Sequence, residues 1–389
     1  MRSSRTAAAT TKPLRTGFSA PRRAQKPISP PFFETFWPRP ARSWKRSSWP
    51  VKRRSRKVRK NLRARIAAFG SAFPEQVLTN HDLEKIVDTS DQWIKERTGI
   101  SERRRLRDGE NNSDFAAEAC RKALDTAGVA PNEVDLIIAA SNTPDRWMPN
   151  LACTTQAKLG ISSECGAFDI VTACAGWVVA LSTANAFVRS GQYKNVLVVG
   201  SEALTRFVNW TDRGTCVLFG DAAGAALVQP CAEGDPGEIL SVNVHADGRH
   251  GEILEFPAGG SRTPTTVDTA AAGLQYVHMK GQDVFKHAVR DMAACAQEAL
   301  DAAGVTKDQV AWIIPHQANI RIVESVAKKM GFPMERVAVN LHKYGNTSAA
   351  TIPTCFDEYE KAGRIRRGDL VLMTTFGGGL SWAGALIRW

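Results

Sequence analysis

Three side chains in this 389-residue sequence have the type and setting for covalent chemistry. Cys174 lies in GAFDIVTACAGWVVALSTANAFV. A strand-like run, 167–172, leads into it and a long apolar helix pattern leads out. The thiol therefore sits at a strand-to-helix turn, where unpaired N–H groups and the positive end of the helix dipole favour a thiolate and lower its pKa. Gly176 lets the backbone approach closely. The competing reading is a buried structural cysteine, the common fate of free Cys. The other seven, at 120, 153, 165, 216, 231, 295 and 355, lack such a turn and read as structural. His316 ends the buried-strand pattern VAWIIP, before Gln317, Ala318 and Asn319. A histidine just past a strand's carboxyl end faces the crevice where α/β sites form, although a capping or core histidine also fits. Asn346, in VAVNLHKYGNTSAATIP, follows a strand and precedes a helix start, and alone it reads as a turn or N-cap residue. His342 beside it reads as structural. Residues 376–384 (FGGGLSWAG) offer glycine N–H groups that could face a developing oxyanion.

Other chemistries lack their residues. FGGGLSWAG is no dinucleotide fingerprint, because no helix and second strand follow it before Trp389. GDAAGAA at 220–226 lacks Gly-x-Gly-x-x-Gly spacing. There is no Walker loop, no Ser-centred Gly-x-Ser-x-Gly, and no Cys/His set at metal spacing. The scattered cysteines of a chain with a full core read as reduced thiols, hence an intracellular protein. No run of 18 apolar residues is present to span a membrane, and no apolar segment near the N-terminus suits a secretory signal.

The elements that must position these residues alternate. Residues 114–127 (DFAAEACRKALDTA) read as an amphipathic helix stopped by Gly128. Residues 134–140, 195–200 and 369–375 read as buried strands. Alternation of this kind predicts a parallel sheet covered on both faces. A repeat organises the chain: LDTAGVAPNEVDLII (124–138) returns as LDAAGVTKDQVAWII (300–314). Lys158–Leu159–Gly160 returns as Lys329–Met330–Gly331, and NVLVVGSEA as DLVLMTTFGGG. Ordered recurrence of several units predicts two similar α/β halves, 66–235 and 236–389. It places His316 at the strand end occupied by Ser141 in the first half, and Asn346 at the counterpart of the Cys174 turn.

Charge divides the chain differently. Residues 1–65 carry 20 Lys/Arg against one acid, Glu34, so the remainder is mildly acidic at a net −7. The basic balance belongs to the first segment, which weakens a nucleic-acid function for the body. Residues 1–65 are rich in Arg, Ser, Thr and Pro and predict a disordered tail. Three readings compete for it: an organelle transit peptide, upstream sequence translated from a misassigned start, and an arm for nucleic acid or an acidic partner.

The motifs then resemble a known family. DTSDQWIKERTGI (88–100), DIVTACAGW (169–177), WTDRGTCVLFGDAAGAA (210–226), MKGQDVFKHAV (279–289), PHQANIRI (315–322), HKYGNTSAA (342–350) and FGGGLSWAGALIRW (376–389) resemble those of β-ketoacyl-acyl-carrier-protein synthase III, a condensing enzyme of the thiolase superfamily. The resemblance implies a homodimer of thiolase-like α/β fold, two pseudo-symmetric halves in five α-β-α-β-α layers. It implies acyl transfer from acetyl-CoA to Cys174, then decarboxylative condensation with malonyl-acyl carrier protein to give acetoacetyl-acyl carrier protein. His316 and Asn346 complete the triad and stabilise the enolate, and the Cys174 and Gly378 N–H groups form the oxyanion hole. Coenzyme-A contacts fall at Trp93, Arg97 and Arg213, with Gly281 and Asn319 beside the pantetheine tunnel. Arg321, Arg290, Lys280 and Lys286 are candidates for docking the acidic carrier protein. Met148 stands where the family shapes the end of the acyl pocket across the dimer interface, and its flexibility predicts tolerance of longer primers. The resemblance implies no metal and no cofactor beyond the two substrates, no nucleic-acid or membrane partner, and a cytoplasmic location, or a plastid if the tail is a cleaved leader. A sister ketosynthase of secondary metabolism with another primer is the alternative. A papain-like hydrolase using Cys, His and Asn would need different motifs around its cysteine.

Overall fold

A computed structural model describes residues 62–161 and 164–389. The expectations for residues 1–65 lie outside the described residues as far as Asn61. The first strand, β1 (Arg63–Ala72), already opens inside that range, so the folded body begins earlier than its expected start at 66.

The remaining strands of the main sheet are β2 (Leu136–Ala140), β3 (Gly166–Ile170), β4 (Val196–Ala203), β5 (Asp221–Cys231), β6 (Glu238–Ala246), β7 (Trp312–Pro315), β8 (Leu370–Gly377) and β9 (Ser381–Arg388). Their order is β7-β8-β9-β6-β1-β5-β4-β2-β3. β6 and β1 touch through a single pair, Arg65 opposite Glu238, so two sheets meet edge to edge. In the first, β3, β2 and β4 run parallel while β5 and β1 are antiparallel additions. The second repeats the pattern: β7 is parallel to β8, and β9 and β6 are antiparallel. Where β3 lies against β2 in the first sheet, the second has only a parallel bridge between Ile313 and Val337. Strands expected at 134–140, 195–200 and 369–375 thus appear within one to three residues of their limits.

The helices that cover the sheets are α1 (Asp91–Thr98), α2 (Asn112–Ala127), α3 (Leu151–Leu159), α4 (Gly176–Arg189), α5 (Gly281–Ala303), α6 (Ile320–Met330) and α7 (Thr351–Lys361). Three apolar clusters define the layers. Cys120 and Leu124 of α2 pack with Ile137, Leu197 and Leu227 on one outer face. Trp177 and Leu181 of α4 and Ile352 and Phe356 of α7 fill the space between the sheets, against Ile138, Val198 and Met373. Met292 and Leu300 of α5 and Val323 of α6 pack on Leu372 and Leu386 at the other outer face. The result is the expected α-β-α-β-α order.

The repeat extends to hydrogen bonds. Helices α2 and α5 both stop at a left-handed glycine, Gly128 at φ 65° and Gly304 at φ 64°. Val129 N–H then donates to Leu124 O, and Val305 N–H to Leu300 O, each at 3.0 Å. Glycine adopts this backbone without the Cβ clash other residues meet. The two copies of the repeated unit therefore end their helices in the same way.

Candidate active site

Between β3 and α4 the chain makes one tight turn, Ala173–Ala175, and Cys174 is its middle residue. Ala173 is held at φ 48°, an uncommon backbone for a residue with a Cβ. The turn is clamped from the second sheet. Thr375 Oγ1 donates to Cys174 O at 2.8 Å, and Ser381 Oγ to Thr172 O at 3.0 Å. Gly377 lies so close that a Cβ there would sit 2.6 Å from Cys174 N. The expected strand-to-helix setting is present, but its electrostatic consequence is not. Burial pushes the Cys174 thiol up to about 12, and the Glu202 carboxylate adds to the shift. Ser348 and the backbone N–H of Cys174 itself act in the opposite direction and do not prevail. Desolvation of the charged form outweighs the helix terminus.

The second half supplies a matching turn, Ser348–Ala350, with Ser348 at φ 49°. Its middle residue, Ala349, is the counterpart of Cys174. Asn346 lies three positions earlier, not at that counterpart, a correction to the alignment drawn from chain order. Ser348 N–H donates to Asn346 Oδ1 at 2.8 Å, which turns Nδ2 into the donor left for a ligand. His316 is buried at the end of β7, and its Nδ1 lies 2.7 Å from Thr351 Oγ1. Thr351 Oγ1 gives its one proton to Ser348 O at 2.9 Å, so it must accept from His316. That assigns the ring proton to Nδ1 and leaves the Nε2 lone pair free. Burial pushes His316 down to about 3, so the ring is neutral.

Cys174, His316 and Asn346 line one cavity of about 720 Å³. Its walls are largely apolar, from Val284, Phe285, Met292, Ile322 and Phe376. Trp93, Arg97, Arg213, Gly281 and Asn319 also line it. Trp93 has two cation contacts: the Arg97 and Arg213 guanidinium carbons lie 4.9 and 4.7 Å from its ring centroids. Asn319 caps α6 by accepting from Arg321 N–H at 2.9 Å and donates to Arg97 O at 3.0 Å, tying α6 to α1. A second cavity of about 270 Å³ also borders Cys174, with Leu204, Phe219, Leu254, Phe256 and Gly378 in its wall.

The expected docking residues lie in different surroundings. Arg321 and Lys286 line the main cavity. Arg290 is instead engaged by Asp291 at 2.7 Å, and Lys280 borders a separate depression beside Glu252 and Glu255. Met148 is absent from both cavity walls and is 86% exposed. Reading the sequence alone passed over Ser348, Thr351 and Glu202. The first two stand in or beside HKYGNTSAA, where their polarity was visible but their partners were not. No group of three or more His, Cys, Asp or Glu among the described residues is placed to hold a metal, and no described helix is long and apolar enough to cross a membrane.

Comparison with known proteins bears on this site. The family described as 3-oxoacyl-[acyl-carrier-protein (ACP)] synthase III matches residues 168–248, and its C-terminal part matches 300–389. The β-ketoacyl-[acyl-carrier-protein] synthase III of Roseiflexus castenholzii is 51% identical over 326 residues, covering 84% of this chain and 98% of that protein. That of Xanthomonas campestris pv. campestris is 49% identical, covering 85% and 99%. Among solved structures, 3-oxoacyl-[acyl-carrier-protein] synthase III of Aquifex aeolicus superposes with a TM-score of 0.77 at 45% identity, covering 84% of this chain and all of that one. The priming β-ketosynthase of the R1128 polyketide pathway gives the same TM-score at 34% identity, covering 85% and 98%.

Proposed function

The chain belongs to the β-ketoacyl-[acyl-carrier-protein] synthase III family and is the initiating condensing enzyme of fatty acid synthesis, and from that premise we propose how its own residues perform the reaction. Cys174 Sγ attacks the thioester carbonyl of acetyl-CoA. The bond to the coenzyme-A sulfur breaks, and the Cys174 proton passes through His316 Nε2 to the departing thiolate. Thioester exchange of this kind needs little driving force. The tetrahedral oxyanion is held by the Cys174 and Gly378 N–H groups.

Malonyl-acyl carrier protein enters the same cavity. Loss of carbon dioxide leaves an enolate, so no base is needed to form the carbanion. Asn346 Nδ2, aimed by Ser348, donates to the enolate oxygen. With its proton on Nδ1, neutral His316 has no second donor. It contributes one only as an imidazolium, having taken up the proton that this half-reaction consumes. The carbanion attacks acyl-Cys174, the bond to Sγ breaks, and His316 returns that proton to sulfur. Acetoacetyl-acyl carrier protein leaves.

The observation that carries this reading is the meeting of Cys174, His316 and Asn346 on one apolar cavity that also holds the cation-flanked Trp93. Incubation with a panel of acyl-CoA thioesters, followed by intact-mass measurement, is the test. Wild type gains one acyl group, most readily acetyl, and Cys174→Ala gains none. Absence of acylation by every thioester overturns the assignment, while acylation by long or branched chains but not acetyl supports the sister-ketosynthase reading. The higher identities to fatty-acid enzymes favour the former.

The stacked tryptophan suits the flat base of coenzyme A, and its two arginines suit the phosphates. Each cation–π contact at such a half-buried ring contributes about 0.5–1 kcal/mol. Trp93→Ala therefore raises KM for acyl-CoA by roughly 5–30-fold. Condensation by enzyme already carrying its acyl group stays unchanged. Acylation rates over a range of acyl-CoA concentrations, and single-turnover condensation, separate the two.

Arg321 and Lys286 are the candidates for receiving the acidic carrier protein at the cavity, and no metal or further cofactor enters the scheme. Trp147 and Met148, 71% and 86% exposed, make an apolar tip suited to a second copy of the chain, which would bring Met148 to the partner's acyl pocket. We place the enzyme in the cytoplasm.

A further inference from the structure

Arg103 is fully buried, and nothing above gives it a task. It stands on a two-stranded ribbon, Gln76–Thr79 against Glu102–Arg105. No carboxylate among the described residues forms an ion pair with it; the neighbouring Glu102 is engaged by Arg104 at 3.2 Å. Three oxygens meet its charge instead. Nη1 donates to Asn80 Oδ1 at 2.9 Å and to Leu78 O at 3.1 Å, and Nη2 donates to Val217 O at 2.9 Å. Nε is buried with no hydrogen-bond partner. Burial pulls the guanidinium down to about 10, so it keeps its charge at neutral pH. A buried cation without a counter-ion is a poor way to fill a core, because its desolvation is costly. What an arginine adds is a planar fork that holds several acceptors at fixed angles.

The acceptor that bears on the site is Val217 O, because the next three residues grip Asn346. Asn346 N–H donates to Leu218 O at 2.8 Å, and Gly220 N–H donates to Asn346 O at 3.1 Å. Phe219 and Asn346 are thereby joined in a parallel bridge. Val217, Leu218 and Phe219 line the main cavity together with Asn346. Both segments close over the arginine stem. A Cβ at Gly220 would stand 3.0 Å from Arg103 Cβ and 2.2 Å from Tyr344 O. One at Gly345, where φ is 67°, would stand 3.3 Å from Arg103 Cβ and 2.7 Å from Leu218 O. Glycine at these two positions permits the approach.

The far side of the fork is anchored away from the cavity. Asn80 is itself buried, and its Nδ2 donates to Ile100 O at 2.8 Å and to Asp91 Oδ1 at 3.0 Å. These bonds use the end of the amide that Arg103 does not, so the anchor is held without the guanidinium. One rigid group thus joins a fixed ribbon to the backbone clamp on Asn346.

We propose that Arg103 is a positioning residue for Asn346: by fixing Val217 O it sets the segment 217–220, and that segment sets where the Asn346 amide stands in the cavity. Arg103 lines neither cavity, so it acts through other groups. The Cys174 turn is held by separate bonds from Thr375 and Ser381. The proposal rests on Asn346 serving the enolate, but its first test reads the clamp directly, apart from condensation.

Arg103→Met keeps a stem under the two glycines and deletes the fork. The first test is hydrogen–deuterium exchange, read by mass on peptides spanning 215–221 and 340–348. Both exchange faster than in wild type by about tenfold or more, while peptides over the Cys174 turn are unchanged. The second test is the pair of single-turnover half-reactions. Acylation of Cys174 by acetyl-CoA stays near the wild-type rate. Condensation slows by about 10²-fold, the loss that follows from misplacing a group by about 1 Å. In an Asn346→Ala background the same substitution slows condensation no further, a coupling that a general weakening of the fold would not produce. Arg103→Lys, which keeps a cation at the oxygens without the fork, recovers part of the rate. Unchanged exchange at Asn346 in folded Arg103→Met overturns the proposal. So do equal losses in the two half-reactions, or a further loss on top of Asn346→Ala. If neither Arg103→Met nor Arg103→Lys folds, the residue serves the fold as a whole and the proposal falls. Faster exchange with both half-reactions at wild-type rates upholds the clamp and overturns the enolate role of Asn346 instead.

Discussion

Asn346→Ala leaves the first half-reaction nearly intact and slows the second by about 10²–10³-fold, the usual loss when one preorganised donor to a developing oxyanion is removed. The asymmetry follows from where the amide points. Its Oδ1 is held by Ser348 N–H at 2.8 Å, so Nδ2 is the free end, and in the proposed scheme its ligand is an oxygen that becomes anionic only after carbon dioxide leaves. In the same scheme acyl transfer to Cys174 develops its charge elsewhere, at the proposed hole of backbone N–H groups. The measurement is a pair of single-turnover rates: acyl-enzyme formation by intact mass, then consumption of preformed acyl-enzyme by malonyl-acyl carrier protein. His316→Ala slows both, because the same Nε2 carries a proton out in the first half and back in the second. Equal loss in the two halves for Asn346→Ala would remove the enolate role from that residue.

The difference between these two residues was only partly legible in the sequence. Their types and places at strand ends could be read, because a buried strand followed by His or Asn has a short list of outcomes. The duplicated LD-x-AG units were legible for a physical reason: left-handed glycine stops and apolar runs are local demands. What could not be read was partnership across the repeat. The proton on His316 is assigned through Thr351 and then Ser348, thirty-two positions from His316 along the chain. The helix terminus at Cys174 suggested a lowered thiol pKa, while the dense packing between two sheets and a carboxylate from β4 drive it upward. Burial is a property of the whole fold, and no window of residues around Cys174 contains it. The surroundings of the docking residues were hidden for a related reason. Lys286 and Arg290 are neighbours on one helix, yet Lys286 meets the cavity while Asp291 holds Arg290 aside.

Gly377→Ala reduces acylation of Cys174 by about 10²-fold or more while the protein remains folded, since the effect falls on one oxyanion donor. A Cβ at this position would stand 2.6 Å from Cys174 N, 3.0 Å from Ala173 Cβ and 3.0 Å from Ala175 N. The first and last are backbone atoms, which cannot swing aside as a side chain does. β8 is held in register by Gly377 opposite Ser381, and the Cys174 turn by Thr375, so relief requires the turn itself to shift. That movement carries the Cys174 N–H away from the tetrahedral oxygen, and a displacement of this size in a preorganised site is costly. Acyl-enzyme formation measured by mass, beside a thermal melt, distinguishes a damaged hole from a damaged fold. A wild-type acylation rate would mean that Cys174 N–H does not serve the oxyanion. The expected loss has a structural logic in the duplicated body. Both halves build the same turn against the same strand of the opposite sheet. Chemistry arises where the copies differ, with cysteine in place of Ala349 and, against it, a glycine where the other half has Glu202.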